Sequence, residues 1–193
     1  MEQGKIILVT GGARSGKSTF AENLLNDKDD VLYIATSVIT DEEMQDRVIK
    51  HKERRNPKWD TLEGYKNLSG KIEDFDNKYM LLDCVTVMTT NTLFDQEQGL
   101  LSIGLDNDFD FISMEDVDKI TALLKEEFKK LIEKSRELNR TLVLVTNEVG
   151  WGLVPEYKLG RIFRDTAGFI NQYIGSLSDE VYLVCCGQPL KIK

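Results

Sequence analysis

The segment KIILVTGGARSGKSTF, residues 5–20, decides how the rest of the chain is read. Its first six residues form a short apolar run that stops at a glycine pair, which reads as a buried strand. Residues 11–18, GGARSGKS, satisfy G-x-x-x-x-G-K-[ST] and pass directly into a helix-forming stretch, 17–26. A strand that ends in this loop and opens a helix builds a phosphate cradle. Gly11, Gly12 and Gly16 let backbone N–H groups turn inward around phosphate oxygens, and Ala13, Arg14 and Ser15 complete the nucleotide-binding loop. Lys17 adds a positive charge and Ser18 offers a hydroxyl to Mg²⁺. The predicted occupant is a nucleoside triphosphate with Mg²⁺.

Working outward, four further short runs rich in Val, Ile, Leu and Tyr read as buried strands: VLYIA (31–35), YMLLD (79–83), TLVLVTN (141–147) and EVYLVCC (180–186). Helical segments lie between them at 41–55, 67–76, 84–94, 114–139 and 158–177. This alternation predicts an α/β fold with a largely parallel sheet covered on both faces. The closing CGQPLKIK reads as a turn into a short antiparallel edge strand. Asp83 ends its strand at the carboxyl edge, where open α/β sheets collect ligands, and a carboxylate there suits Mg²⁺. Glu148 competes for that role. With 193 residues and 41% apolar content, one domain is expected over 1–193. From Tyr79 to Asp118 there is no lysine or arginine, and 95–117 reads as an acidic surface insertion.

The formal net charge of −8 argues against nucleic-acid or anionic-membrane partners, both of which select a cationic surface. Three cysteines, two of them adjacent and none in a C-x-x-C pair, fit a reducing compartment and disfavour zinc. The N-terminus does not resemble a signal peptide and no run is long enough for a membrane helix, so the expected location is the cytoplasm.

Against this acidic background stands RVIKHKERR, residues 47–55, with the chain's one histidine among five basic residues and a single acid. Thr40 and Glu43 form a capping-box signature that places His51 on a helix. Arg47, Arg54 and Arg55 then lie at i−4, i+3 and i+4 and share its face. Clustered guanidiniums attract an anion and lower the imidazole pKa below about 6.5, which leaves a neutral nucleophile or base. Met44 and Val48, at i−7 and i−3, also put His51 near the helix's apolar face. From spacing alone a solvated or core-edge histidine is the commoner reading.

The blocks GGARSGKS, VLYIATS…DEEMQDRV…HKERR…W.TLE, LLDCVTVMTTN, VTNEVGWGLVP and FRDTAGFINQ, in this order, resemble the adenosylcobinamide kinase / adenosylcobinamide-phosphate guanylyltransferase family of cobalamin assembly. The resemblance covers nearly the whole chain apart from about 95–117. It implies a P-loop, RecA-like, mainly parallel sheet and a homotrimer with sites near the subunit contacts. It also implies two reactions, phosphorylation of adenosylcobinamide by GTP or ATP and GMP transfer from GTP to adenosylcobinamide phosphate. His51 falls at the guanylylated histidine. Ala35, Thr36, Ser37, Lys52, Glu53, Arg54, Arg55 and Glu63 match nucleotide-site positions, beside Asp83 and Ser18 for the metal. RRNP departs from the family's usual Arg-Pro by one residue, Asn56.

Arg161, Arg164, Asp165, Asn171 and Gln172 could face a neighbouring subunit, the corrinoid, or solvent. Trp59 and Trp151 could stack on a ring, though aromatics more often pack in a core or interface. No N-K-x-D guanine-reading motif occurs, so a preference for GTP follows from the resemblance alone. Two rival readings are a monofunctional P-loop small-molecule kinase and a nucleotide-gated binding protein.

Overall fold

In the computed structural model, which describes residues 4–37, 56–100 and 112–193, all five apolar runs form strands. They are β1 (Ile6–Thr10), β2 (Val31–Ala35), β4 (Tyr79–Asp83), β5 (Thr141–Val145) and β6 (Glu180–Cys185). Each is buried on both sheet faces through its alternating residues. Ile6 and Leu8 of β1 enter one core cluster and Ile7 and Val9 the other, and Leu142 and Leu144 oppose Val143 and Val145 in the same way on β5. Two short strands complete the sheet, β3 (Asp60–Glu63) and β7 (Gln188–Lys191). The sheet order is β3-β2-β4-β5-β1-β6-β7, with every pair parallel except β6 and β7.

One face is covered by α1 (Lys17–Asn23), which contributes Ala21 to the smaller cluster. The other carries α2 (Leu68–Lys71) with its 3₁₀ turn Ile72–Asp74, α3 (Val85–Leu93), α4 (Met114–Glu137) and α5 (Lys158–Leu177). The longest, α4, starts because Ser113 accepts a hydrogen bond from the Asp116 amide at 3.1 Å, and it buries Val117, Ile120, Leu124, Phe128 and Leu131 at helical spacing. This is a P-loop NTPase-like α/β architecture. The expected helix over 41–55 lies outside the described residues. None of the described helices is long and apolar enough to cross a membrane.

The register aligns the carboxyl ends of the strands. Ala35 pairs with Glu63 on one side and Asp83 on the other, Asp83 pairs with Val145, and Val145 pairs with Val9. Strand β3 had no apolar signature, because three of the residues in DTLE are exposed and parallel pairing with β2, the packing of Leu62 and a hydrogen bond from Asn77 to Asp60 hold it.

The surface position expected for 95–117 needs correction at its described ends. Asp95, Leu100, Ile112 and Val117 are buried, and residues from Met114 onward belong to α4. Asp95 accepts the Lys66 ammonium at 2.6 Å, the Tyr65 hydroxyl at 2.8 Å, and the amides of Glu97 and Gln98 at 2.9 and 3.1 Å. An acid enters the interior because four donors replace its water. Residues 101–111 lie outside the described residues.

Burial alone would raise the Asp95 pKa, but these donors outweigh it and hold the carboxyl down at about 2. A carboxyl whose folded pKa lies below its unfolded value of about 3.9 stabilises the fold above that pH and loses the effect as pH falls toward 2. Allowing for the solvent exposure of Lys66, the contribution is on the order of 1–2 kcal/mol. Asp95→Asn should lower stability at neutral pH by about this amount and flatten the acid limb. Urea midpoints measured across the acid range for both proteins check this.

Candidate functional site

The turn after β1 is shaped by local backbone needs. Gly16 sits at φ 94° and Arg14 at φ 56°, both in the left-handed region. The Ser15 amide donates to the Gly12 carbonyl at 3.2 Å, and two segments from outside, one after β5 and one between β6 and β7, brace the loop. Glu148 N–H donates to Gly11 O at 3.0 Å, and Gly187 N–H donates to Ser15 O at 2.8 Å. A Cβ on Gly11 would stand 2.5 Å from Val184 O and 2.6 Å from Ser15 Oγ, whereas one on Gly12 would meet nothing within 4 Å. Gly11→Ala should therefore cost about 1–3 kcal/mol by overpacking, while Gly12→Ala should melt close to the wild type. Thermal unfolding of the pair checks this; equal melting temperatures would contradict it.

Within the loop, Lys17 is 8% exposed and donates to Gly12 O at 3.1 Å. Burial lowers its pKa, and the charges of Cys84 and Asp83 oppose that shift. The Cys84 thiol is itself pushed up to about 11, by burial first and by Asp83 second. At neutral pH the anion acting on Lys17 is therefore Asp83. The hydroxyls of Thr10 and Ser15 are buried without a partner. Unpaired polar atoms around a desolvated lysine suit an anion with several acceptor oxygens.

Asp83 is positioned from below. Its Oδ2 accepts the Tyr33 hydroxyl at 3.1 Å, and the peptide to Cys84 is cis. Thr36 Oγ1 accepts the Cys84 amide at 2.9 Å and donates to the Cys84 carbonyl at 2.8 Å. Asn91 Nδ2 holds the Thr36 carbonyl at 2.7 Å. A second chain links Thr86 to Thr146 at 3.2 Å, Thr146 to Asn171 Oδ1 at 2.7 Å, and Asn171 Nδ2 to Asn147 O at 3.1 Å. The ends of β2, β4 and β5 are thereby tied to α3 and α5. Among the described residues no three His, Cys, Asp or Glu side chains group to hold a metal. Ser18 and Asp83 fit Mg²⁺ as oxygen donors of the kind that leave most positions to phosphates and water.

A family model described as cobinamide kinase / cobinamide phosphate guanyltransferase matches residues 7–192. The chain belongs to this family. It is 45% identical to the Escherichia coli K12 bifunctional adenosylcobalamin biosynthesis protein CobU, and 44% identical to its Salmonella typhimurium LT2 counterpart. Each of these alignments covers 97% of this chain and 99% of the relative. The Pseudomonas aeruginosa protein CobP, also named bifunctional, is 34% identical over 96% of each chain.

On this cobinamide kinase / guanyltransferase scaffold the described candidate residues are strung along the carboxyl end of the sheet. Residues 11–18 follow β1, Ala35 ends β2 with Thr36 and Ser37 next, Glu63 ends β3, and Asp83 ends β4. Glu63 stands four strand spacings from β1, about 19 Å away. His51, Lys52, Glu53, Arg54 and Arg55 lie outside the described residues. The described chain leaves for that segment at Ser37 and resumes at Asn56. The inserted Asn56 is absorbed in a turn to Trp59, where its Nδ2 donates to Asp29 at 2.9 Å and its Oδ1 accepts the Lys58 amide at 3.0 Å.

The remaining candidates sit in distinct local settings. Glu148 Oε1 receives the Gly150 amide of its own loop at 2.8 Å. Trp59 donates to Lys28 O at 2.9 Å and packs against the smaller core cluster, while Trp151 is 73% exposed. Arg161 holds the carbonyls of Pro155 and Glu156. Arg164 pairs with Asp165, and Gln172 is exposed. Asn171 is an internal brace. Tyr33, Thr86, Asn91 and Thr146 were missed as positioning groups, although VLYIATS, LLDCVTVMTTN and VTNEV, within the blocks that carried the resemblance, contain all four.

Proposed function

We propose that this chain phosphorylates adenosylcobinamide from GTP or ATP. It then transfers GMP from GTP to adenosylcobinamide phosphate through a guanylyl-His51 intermediate. The observation that carries the reading is the desolvated Lys17 in its glycine loop, beside Asp83 on the same sheet edge. Identity of 44–45% over nearly the full length to two proteins named bifunctional supports both activities.

The loop amides of 11–18 and Lys17 hold the triphosphate, and the arginines at 54 and 55 orient it. Mg²⁺, held through Ser18 and Asp83, supplies charge neutralisation on the phosphates. A neutral His51 nitrogen forms a bond to the α-phosphorus as the bond to pyrophosphate breaks. The phosphate oxygen of adenosylcobinamide phosphate then attacks the same phosphorus and releases the imidazole. Two steps let two bulky anions occupy the site in turn. Ala35, Thr36, Ser37, Lys52 and Glu53 line the nucleotide, and Glu63, far along the edge, reaches its ribose or base rather than the P-loop phosphates.

GTP labelled at the α-phosphate should leave an acid-labile, base-stable adduct on the wild type and none on His51→Ala. Absence of label on the wild type would refute the covalent step. We also propose a cytoplasmic homotrimer. Trp151, Leu153, Val154 and Tyr157 expose an apolar loop suited to burial against another copy. Light scattering of the purified protein at micromolar concentration tests this, and a monomer would overturn it.

A further inference from the structure

Cys185 and Cys186 lie outside the machinery described so far, but their chain neighbours Val184 and Gly187 pack against the glycine loop. Cys185 ends β6 and pairs with Gln188 of β7, leaving Cys186 and Gly187 as a two-residue hairpin turn. Both turn residues have positive φ, 51° for Cys186 and 76° for Gly187. Tight hairpins of this kind favour Asn or Gly at such positions, and a cysteine there costs about 1 kcal/mol. Both thiols are exposed and their sulfurs are 3.8 Å apart. The hydrogen bond between them raises the Cys185 pKa from its ordinary value.

The geometry selects the ligand. Neighbouring Cα atoms across a trans peptide are about 3.8 Å apart, short of the roughly 4.4–6.8 Å that disulfides use. A direct S–S bond is therefore strained, and a bridging third atom relieves the strain. Zinc requires about four ligands, and no group of three forms among the described residues. A thiophile that needs only two sulfurs remains.

We propose that Cys185 and Cys186 form a dithiol site for monosubstituted trivalent arsenicals, and that filling it weakens nucleotide binding at the glycine loop. In the capture step two S–H and two As–O bonds of an arsonous acid break. Two As–S and two O–H bonds form, two waters leave, and no atom changes oxidation state. Coupling follows from contact, because Gly187 N–H donates to Ser15 O at 2.8 Å and a Cβ on Gly16 would lie 3.1 Å from Gly187 Cα. Closing a ring over the turn re-aims the amide that braces the loop.

The test uses phenylarsine oxide at equimolar ratio on wild type, Cys185→Ser and Cys186→Ser, read by intact mass. The wild type should carry one adduct that survives excess glutathione and is removed by 2,3-dimercaptopropanol. Neither variant should hold a glutathione-stable adduct. Titration with a fluorescent, non-hydrolysable GTP analogue should show affinity reduced about five-fold or more in the wild-type adduct. A stable adduct on either variant would place capture elsewhere, and unchanged affinity would remove the coupling; each outcome overturns the proposal. The coupling rests on the nucleotide reading above. Untreated protein that binds no nucleotide would count against that reading, while the mass result still decides the dithiol.

Discussion

His51→Ala should abolish transfer of GMP to adenosylcobinamide phosphate, by roughly 10⁴-fold or more, because removing a nucleophile removes the covalent route. Phosphorylation of adenosylcobinamide should continue within a few fold, since that transfer passes the γ-phosphoryl group directly to a hydroxyl. The two rates separate cleanly when corrinoid products are followed by mass, with ATP or GTP as donor for the first step and GTP for the second. Retention of full GMP transfer by the variant would remove the assignment. Loss of both reactions together would instead make the basic segment a shared phosphate contact.

Lys17→Ala has the opposite signature, with both reactions falling together. Both depend on a triphosphate held in the glycine loop, and loss of one preorganised cation on developing phosphate charge costs about 10²–10³-fold. Lys17 is buried and its pKa is lowered by that burial, so the surroundings disfavour its charge. The folded state disfavours the protonated amine, a penalty present in full below the folded pKa, relieved as pH rises from there, and gone only above the unfolded value of about 10.4. The variant should therefore keep its fold while losing nucleotide-induced stabilisation in thermal shift measurements with GTP. A variant that retains either reaction at the wild-type rate would separate that reaction from the loop.

The central strands were legible because each is buried on both faces and so appears as an unbroken apolar run of the right length. DTLE was not, since an edge strand exposed on its outer side needs no such pattern and is defined by its partner, β2. Asp95 shows the converse error. Its acidic surroundings suggest solvent, yet Lys66 and Tyr65, about thirty residues earlier, supply the donors that make burial tolerable. Asn171 was visible as part of a distinctive block, but nothing local reveals that it binds the segment after β5.

The sequence by itself determined the phosphate-binding turn, the alternation that yields a parallel sheet, and the cluster of charge around the lone histidine. These are properties of contiguous residues, because strand burial, helix spacing and glycine conformational freedom act over a few positions. Only the tertiary structure decided that Glu63, Ala35 and Asp83 stand abreast, that Asp83 receives the Tyr33 hydroxyl while Glu148 receives an amide of its own loop, and that the Gly187 amide of the last hairpin braces the glycine turn from behind. Each of those facts depends on strand order and register, which bring together residues that are far apart in the chain.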